Sequence, residues 1–235
     1  MNLREAVLIK LDRLDSYACR LGLVRPARWE CLLSSRAPKI YAGQLSRTNP
    51  QWTSYFGVTP FASSSRNIQF DLCHPLPIPD GSIDAIQSED VFEHIAFNVL
   101  PEILKEMFRI LRPGGLLRIS VPDYRWSVYV DRSLRSEAGE IIFDPGGGGR
   151  LLDGRVVDGG HLWFPTLELV QSLLSNSPFA SQGAINYLHY NRLDGSGKLD
   201  QIDYRLGYIA RTPDHDPRHR NSSQAISIVV DCWKS

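Results

Sequence analysis

The sequence predicts an α/β fold: a doubly wound, mostly parallel sheet with helices on both faces and an antiparallel edge pair towards its carboxyl-terminal end. Three observations predict it. Short apolar runs bounded by Pro, Gly, Asp or Ser ("PKIYAG", "YFGVTPF", "NIQFDL", "SIDAIQS", "GLLRISVPD") recur through residues 38–123, as strands buried in a sheet do. An amphipathic stretch, "NVLPEILKEMFRILRPGG", separates the last two, and strand, helix, strand at that spacing is a right-handed crossover between parallel neighbours. Two later β-rich runs, "AINYLHYN" and "AISIVVDCW", have no helix between them, which suits antiparallel pairing.

Taken in order, the chain starts with "NLREAVLIKLDRLDSYACRLGL", where Leu3, Val7, Leu11, Leu14, Ala18 and Leu21 recur at helical spacing among charges. Residues 1–35 are therefore expected to hold an amphipathic helix that packs on the domain or on a second copy of the chain, giving a homodimer. Its balanced charges argue against a membrane surface. Residues 36–235 form one domain. The crossover helix places Leu100, Ile103, Leu104, Met107, Phe108 and Leu111 on one face, with Glu102 near its start and Arg109 and Arg112 near its end. It stops at Pro113-Gly114-Gly115. Residues 125–165, with "DPGGGGRLLDGRVVDGGHLWF" at their end, read as a flexible Gly-rich loop or an insertion at the sheet edge. Helical spacing returns in "TLELVQSLLSNSPF" through Leu167, Val170, Leu173 and Leu174.

Bulk properties exclude several function classes. The 235 residues suffice for one sizeable domain, and Lys plus Arg equals Asp plus Glu at 26 each, so the electrostatic footprint of a nucleic-acid binder is missing. No nucleic-acid partner is expected. Cys19, Cys31, Cys73 and Cys232 are widely spaced and read as free thiols in a reducing compartment. No apolar run approaches the roughly 20 residues that span a bilayer, and charges crowd the first 15 residues where a secretion signal would be apolar. A cytoplasmic location is expected.

Function is expected at the exits of two strands. "DLCHPLPIPDGSIDAIQSEDVFEHI" puts Asp71 after one apolar run and Ser88, Glu89, Glu93 and His94 after the next, and the carboxyl edge of an open α/β sheet is where such folds bind small ligands. His94 is the one side chain of this group that exchanges a proton near neutral pH without a large shift, so it is a candidate general base; ordering the strand exit by a hydrogen bond is the rival role. His215, Asp216 and His219 in "PDHDPRHRN" share no helix face and lack further ligands, so they read as a polar loop and no metal site is expected.

The words "LPIPDGSIDAIQSEDVFEHI" and "LPEILKEMFRILRPGGLLRISVPD" resemble the later half of a class I S-adenosylmethionine-dependent methyltransferase of the small-molecule subgroup. "HLWFPTLELVQSLLSNSPF" and "LGYIARTPDHDPRHRN" resemble a group of predicted methyltransferases found among bacterial surface-glycan proteins. The resemblance implies a Rossmann-like fold, S-adenosylmethionine as cofactor, and a small-molecule or glycan-linked acceptor. It implies that Asp71 and Leu72 contact the adenine, the carboxylate accepting from the exocyclic amine and the backbone amide donating to a ring nitrogen. A cap on the turn before His74-Pro75 is the structural alternative for Asp71. Ser88 and Glu89 would lie near the methionine end or the acceptor, and His161, beside Gly159-Gly160, becomes the second candidate base.

Two contacts of the family depart from its pattern. Where an acidic residue and several glycines normally follow the first strand, "KIYAGQLSRTNP" offers Gly43 alone. The second strand ends in Thr59 rather than a carboxylate that grips the ribose hydroxyls, and a neutral hydroxyl bonds more weakly. Cofactor binding is therefore expected to be weakened or lost. The leading reading is a methyltransferase; the alternatives are a catalytically silent domain of the same fold that binds a nucleotide-like ligand or a partner protein, and another nucleotide-dependent transferase.

Overall fold

The computed structural model of the chain describes residues 3–45, 50–219 and 222–235. It starts with helices α1 (Leu3–Arg20) and α2 (Trp29–Leu33), then runs through strands β1 (Lys39–Ala42), β2 (Phe56–Thr59), β3 (Asn67–Gln69) and β4 (Ile83–Glu89), helix α3 (Leu100–Ile110) and strand β5 (Leu111–Pro122). Residues 123–166 insert helix α4 (Ser127–Arg132), a hairpin of β6 (Leu134–Arg135) with β7 (Ile141–Phe143), and a hairpin of β8 (Arg150–Leu152) with β9 (Arg155–Val157). The chain closes with α5 (Leu167–Ser175), α6 (Pro178–Gln182), β10 (Gly183–Asn191), β11 (Gly197–Leu199) and β12 (Ser227–Lys234).

Eight strands form the main sheet in the order β11-β10-β12-β5-β4-β1-β2-β3. The five from β5 to β3 pair parallel, while β12 is antiparallel to both β5 and β10. The expected tail pair thus forms, and β11 extends it by one antiparallel strand. Among the described residues no helix is long and apolar enough to cross a membrane.

Pleating sends successive rows of this sheet to opposite faces. The row Ile40, Ile86, Leu117, Cys232, Ile185 belongs to the main core. Against it pack Leu100, Ile103, Leu104, Met107 and Ile110 of α3, Val170, Leu173 and Leu174 of α5, Phe179 of α6 and Leu32 of α2. An 11-residue helix such as α3 is marginal alone, so this burial, worth roughly 1.5–3 kcal/mol per large apolar side chain, is what fixes it. By contrast, the exposed Leu14, Tyr17 and Leu21 of the first segment meet solvent.

The next row, Tyr41, Gln87, Arg118, Asp231, Asn186, is polar and faces the other way. The residues that run from β11 to β12 cover it, and among the described ones the helical structure is a 3-10 turn at Pro217–His219. Arg118, 1% exposed, holds Asp231 through two bonds of 2.7 Å and donates to the carbonyls of Asp203 (3.0 Å) and Gly207 (2.7 Å). Gln87 donates to the Tyr208 carbonyl, and the Glu89 carboxylate accepts the amides of Ala210 (2.9 Å) and Arg211 (3.0 Å). Helical cover on this face gives way because buried polar side chains need free backbone groups as partners, and an extended segment supplies them.

The region read as a flexible loop or an insertion holds regular elements. "LLDGRVV" is the β8–β9 hairpin, turned at Asp153 (φ 47°) and Gly154 (φ 72°), a two-residue Asp-Gly turn whose twist suits the flanking strands. The glycine run before it is packed: a Cβ on Gly147 would come within 2.7 Å of the His161 ring. Close approach, not freedom, explains that glycine.

Candidate active site

At the carboxyl ends of β1, β2 and β4 lies a cavity of about 410 Å³, lined by Gly43, Val58, Thr59, Asp71, Leu72, Asp90, Val91, His94 and Gly159 among others. Local chemistry builds its walls. Gly43 has φ +145°, and a Cβ there would meet Val91 Cγ2 at 2.9 Å and Tyr41 Cε1 at 3.0 Å, so the backbone itself forms the wall. Thr59, 1% exposed, receives the Phe61 amide on Oγ1 at 3.4 Å. Asp71 receives the Cys73 amide on Oδ1 at 2.9 Å, which is the turn cap offered as its structural role. The turn that carries Asp71 and Leu72 is fastened to α3: Arg109 donates to the carbonyls of Leu76 (3.1 Å) and Ile78 (2.8 Å), and Glu106 accepts the Leu76 amide (2.6 Å).

One end of the cavity opens onto a second group of side chains. The 3-10 turn Phe92–His94 follows β4, and residues 160–163 dock on it. Leu162 donates its amide to the Glu93 carbonyl (2.7 Å) and Trp163 donates Nε1–H to the Phe92 carbonyl (2.9 Å). This docking brings His161 to His94, their rings 4.8 Å apart and near-perpendicular. Glu93 Oε1 lies 3.7 Å from His161 Nε2 and 3.9 Å from His94 Nε2, beyond hydrogen-bond range. His94 Nδ1 reaches the Gly160 carbonyl at 3.2 Å, and His161 Nδ1 reaches the Tyr124 hydroxyl at 2.5 Å. Tyr124 in turn donates to Asp144 (2.6 Å), which Arg132 holds through two bonds of 2.7 and 2.6 Å.

Burial sets the electrostatics. It pushes the Glu93 carboxyl well above the ordinary range, with Asp90 adding to the effect, and both Glu93 oxygens are without a hydrogen-bond partner among the described residues. Burial and then His94 lower His161 to about 4, so its imidazole is neutral at neutral pH. Burial raises Glu89 to about 7 and raises Asp90, whose Oδ2 pairs with Arg211 Nε at 2.7 Å while Oδ1 is buried and has no partner among the described residues.

Gly43, Thr59, Asp71, Leu72 and His94 therefore share one cavity, and Glu93 and His161 stand directly behind His94. Ser88 and Glu89 do not line it; Ser88 is fully buried and Glu89 points to the segment over the polar face. Ser46 to Asn49 of the first motif lie outside the described residues. Asp216 is tied to Arg218 at 2.5 Å and His215 to the Ile209 carbonyl at 2.8 Å, as a polar loop would be.

Comparison with known proteins adds several similarities. Residues 44–119 match the family described as "Methyltransferase domain". A 37.1 kDa transposon protein of Streptomyces fradiae is 31% identical over 115 residues, 46% of this chain and 32% of that protein. A "Probable S-adenosylmethionine-dependent methyltransferase" of Mycolicibacterium smegmatis is 40% identical over 48 residues, 20% of this chain and 18% of that one. The chain thus spans about a third or less of the curated relatives it matches. Among solved structures it is similar to a methyltransferase of Methanosarcina mazei (12% identity, 83% of this chain and 91% of that one, TM-score 0.48). It is also similar to the 1,6-didemethyltoxoflavin-N1-methyltransferase of Burkholderia thailandensis (13%, 95% and 77%, TM-score 0.45).

Several groups in this site escaped the sequence reading. Asp90 follows Glu89 directly and was visible as a strand-end carboxylate; its φ of +54° was not. Tyr124, Asp144, Arg132 and Arg211 carry no local signal, because each reaches the site from a distant part of the chain.

Proposed function

We propose that the chain is a methyltransferase that binds S-adenosylmethionine in the cavity at the strand ends and passes its methyl group to a small acceptor held beside His94. The cavity itself supports this reading most: one concave space joins a glycine-backbone wall, a hydroxyl, a strand-end carboxylate and a proton-accepting histidine. The residues suit the cofactor. Asp71 and the Leu72 backbone would take the adenine, Thr59 the ribose, and the Gly43 backbone the amino-acid portion, while the buried Asp90 Oδ1 suits a cationic group. When bound, S-adenosylmethionine supplies an electrophilic methyl group.

The rest falls to the chain's own side chains. With Nδ1 engaged by the Gly160 carbonyl, His94 presents Nε2 as an acceptor for the proton of an acceptor hydroxyl. His161, fixed by Tyr124 and Asp144, holds its ring against His94 and keeps the site's inner wall neutral. A small-molecule or glycan-linked acceptor with a hydroxyl group matches a site built around such a base.

Calorimetric titration with S-adenosylmethionine tests this. A neutral hydroxyl at Thr59 in place of a charged acceptor forgoes about 1.5 kcal/mol or more, roughly tenfold in affinity. Weak binding by the chain is the expected result, with Thr59→Asp binding about tenfold more tightly. Absence of binding by both forms would reject the methyltransferase reading in favour of a silent domain of the same fold.

A further inference from the structure

We propose that Glu93, His94 and His161 form a site for one divalent transition-metal ion of the zinc and iron class, at the inner end of the cavity. Two imidazoles and a carboxylate are a donor set these ions favour, and one ligand atom from each lies within 4.8 Å of the other two. Bound at about 2.0–2.2 Å, an ion sets neighbouring ligand atoms roughly 3–3.5 Å apart, so the 3.7 and 3.9 Å separations close with side-chain shifts of about an ångström or less.

Independent observations point to a ligand here. Glu93 is fully buried, holds Oε1 near both histidines, and has neither carboxylate oxygen partnered among the described residues, an arrangement costly for a carboxylate without a cation. Each histidine is committed through Nδ1, His94 to the Gly160 carbonyl and His161 to the Tyr124-Asp144-Arg132 chain. That leaves each Nε2 free of a hydrogen bond among the described residues, 3.9 Å (His94) and 3.7 Å (His161) from Glu93 Oε1. Metal-binding histidines are oriented in this way by a carbonyl or a carboxylate-linked partner on the other ring nitrogen. A proton relay among the three groups is the competing account, but a relay needs hydrogen bonds between its members, and the distances exceed them.

His94 lines the cavity, so an ion here would keep open coordination positions on that side for an oxygen donor of the acceptor. This use of the ion rests on the methyl-transfer reading; its binding does not. With the ion present, His94 Nε2 is a ligand, and the proton-accepting role belongs to the metal-free chain.

Titrating untagged, chelator-treated chain with cobalt(II), in the absence of S-adenosylmethionine, tests the site by calorimetry and visible absorption. One ion per chain with ligand-field bands is expected. Glu93→Gln and His161→Ala should each weaken binding by about tenfold or more, and Tyr124→Phe, which keeps all three ligands, by about tenfold through loss of orientation. His215→Ala should leave it unchanged. Folding of every variant is checked by circular dichroism. No cobalt binding by the folded chain at millimolar ion, or equal affinity in the folded Glu93→Gln and Tyr124→Phe variants, would overturn the proposal. Failure to bind S-adenosylmethionine would leave this result standing.

Discussion

Asp71 serves both a turn and a cavity. Oδ1 caps the turn through the Cys73 amide, the carboxylate also meets the Cys73 thiol, and Asp71 helps to line the cavity. Asp71→Asn keeps an oxygen for the cap and replaces the other with an amide that repels the adenine amine. We expect Asp71→Asn to weaken S-adenosylmethionine binding by about 1–3 kcal/mol with little change in melting temperature, and Asp71→Ala to lower both. Calorimetry and thermal melts separate these, and unaltered affinity in Asp71→Asn would leave only the cap. Asp71, Thr59 and Gly43 were legible as strand-end residues because strand ends are local. The approach of His161 to Glu93 was not, since it depends on one backbone bond and one bond from the Trp163 side chain between segments about 70 residues apart in sequence.

At the scale of elements, the segment over the polar face is held by side chains of the sheet. Glu89 is one such tie: Oε1 receives both the Ala210 and Arg211 amides, and burial raises its pKa to about 7 from an ordinary 4.5. The folded chain therefore keeps a proton that the unfolded chain releases. Between about pH 4.5 and 7 the stability contributed by this group falls as pH rises, by up to about 1.4 kcal/mol per pH unit, and the slope vanishes above the folded pKa. Glu89→Gln keeps an oxygen for both amides and cannot ionise, so its stability should lack this slope. Urea midpoints for the two proteins at pH 5, 6, 7 and 8 decide the matter; a constant difference across that range would refute it. The β8–β9 hairpin shows where sequence reading fell short at this scale. Its Asp-Gly turn between apolar runs was printed in the sequence, yet the surrounding glycines drew the region into a loop or an insertion without a hairpin.

For the whole molecule, the polar row across β1, β4, β5, β12 and β10 decides how the second face is covered. Single polar residues stand inside "SIDAIQS", "LLRISV" and "IVVDCW", but helices were expected on both faces, and nothing local named the segment that answers those residues. Arg118 is its centre. Arg118→Met leaves the Asp231 carboxylate buried at 5% exposure and two carbonyls without their donor, and we expect a loss of about 3–5 kcal/mol. Adding Asp231→Leu removes the stranded charge and should restore a good part of that loss. Urea denaturation measures both, and a cost under about 1 kcal/mol for Arg118→Met would contradict the role given to the pair.

The sheet order also carries a consequence for synthesis. β12, the last strand in chain order, lies between β5 and β10, so the ribosome has delivered both neighbours before the strand that joins them exists. Until residues 227–234 emerge, the outer side of β5 presents unpaired amides and carbonyls, and the β10–β11 ribbon has nothing to dock on. The nascent chain therefore passes through an interval with two open sheet edges, and in that interval pairing with another nascent chain competes with its own completion.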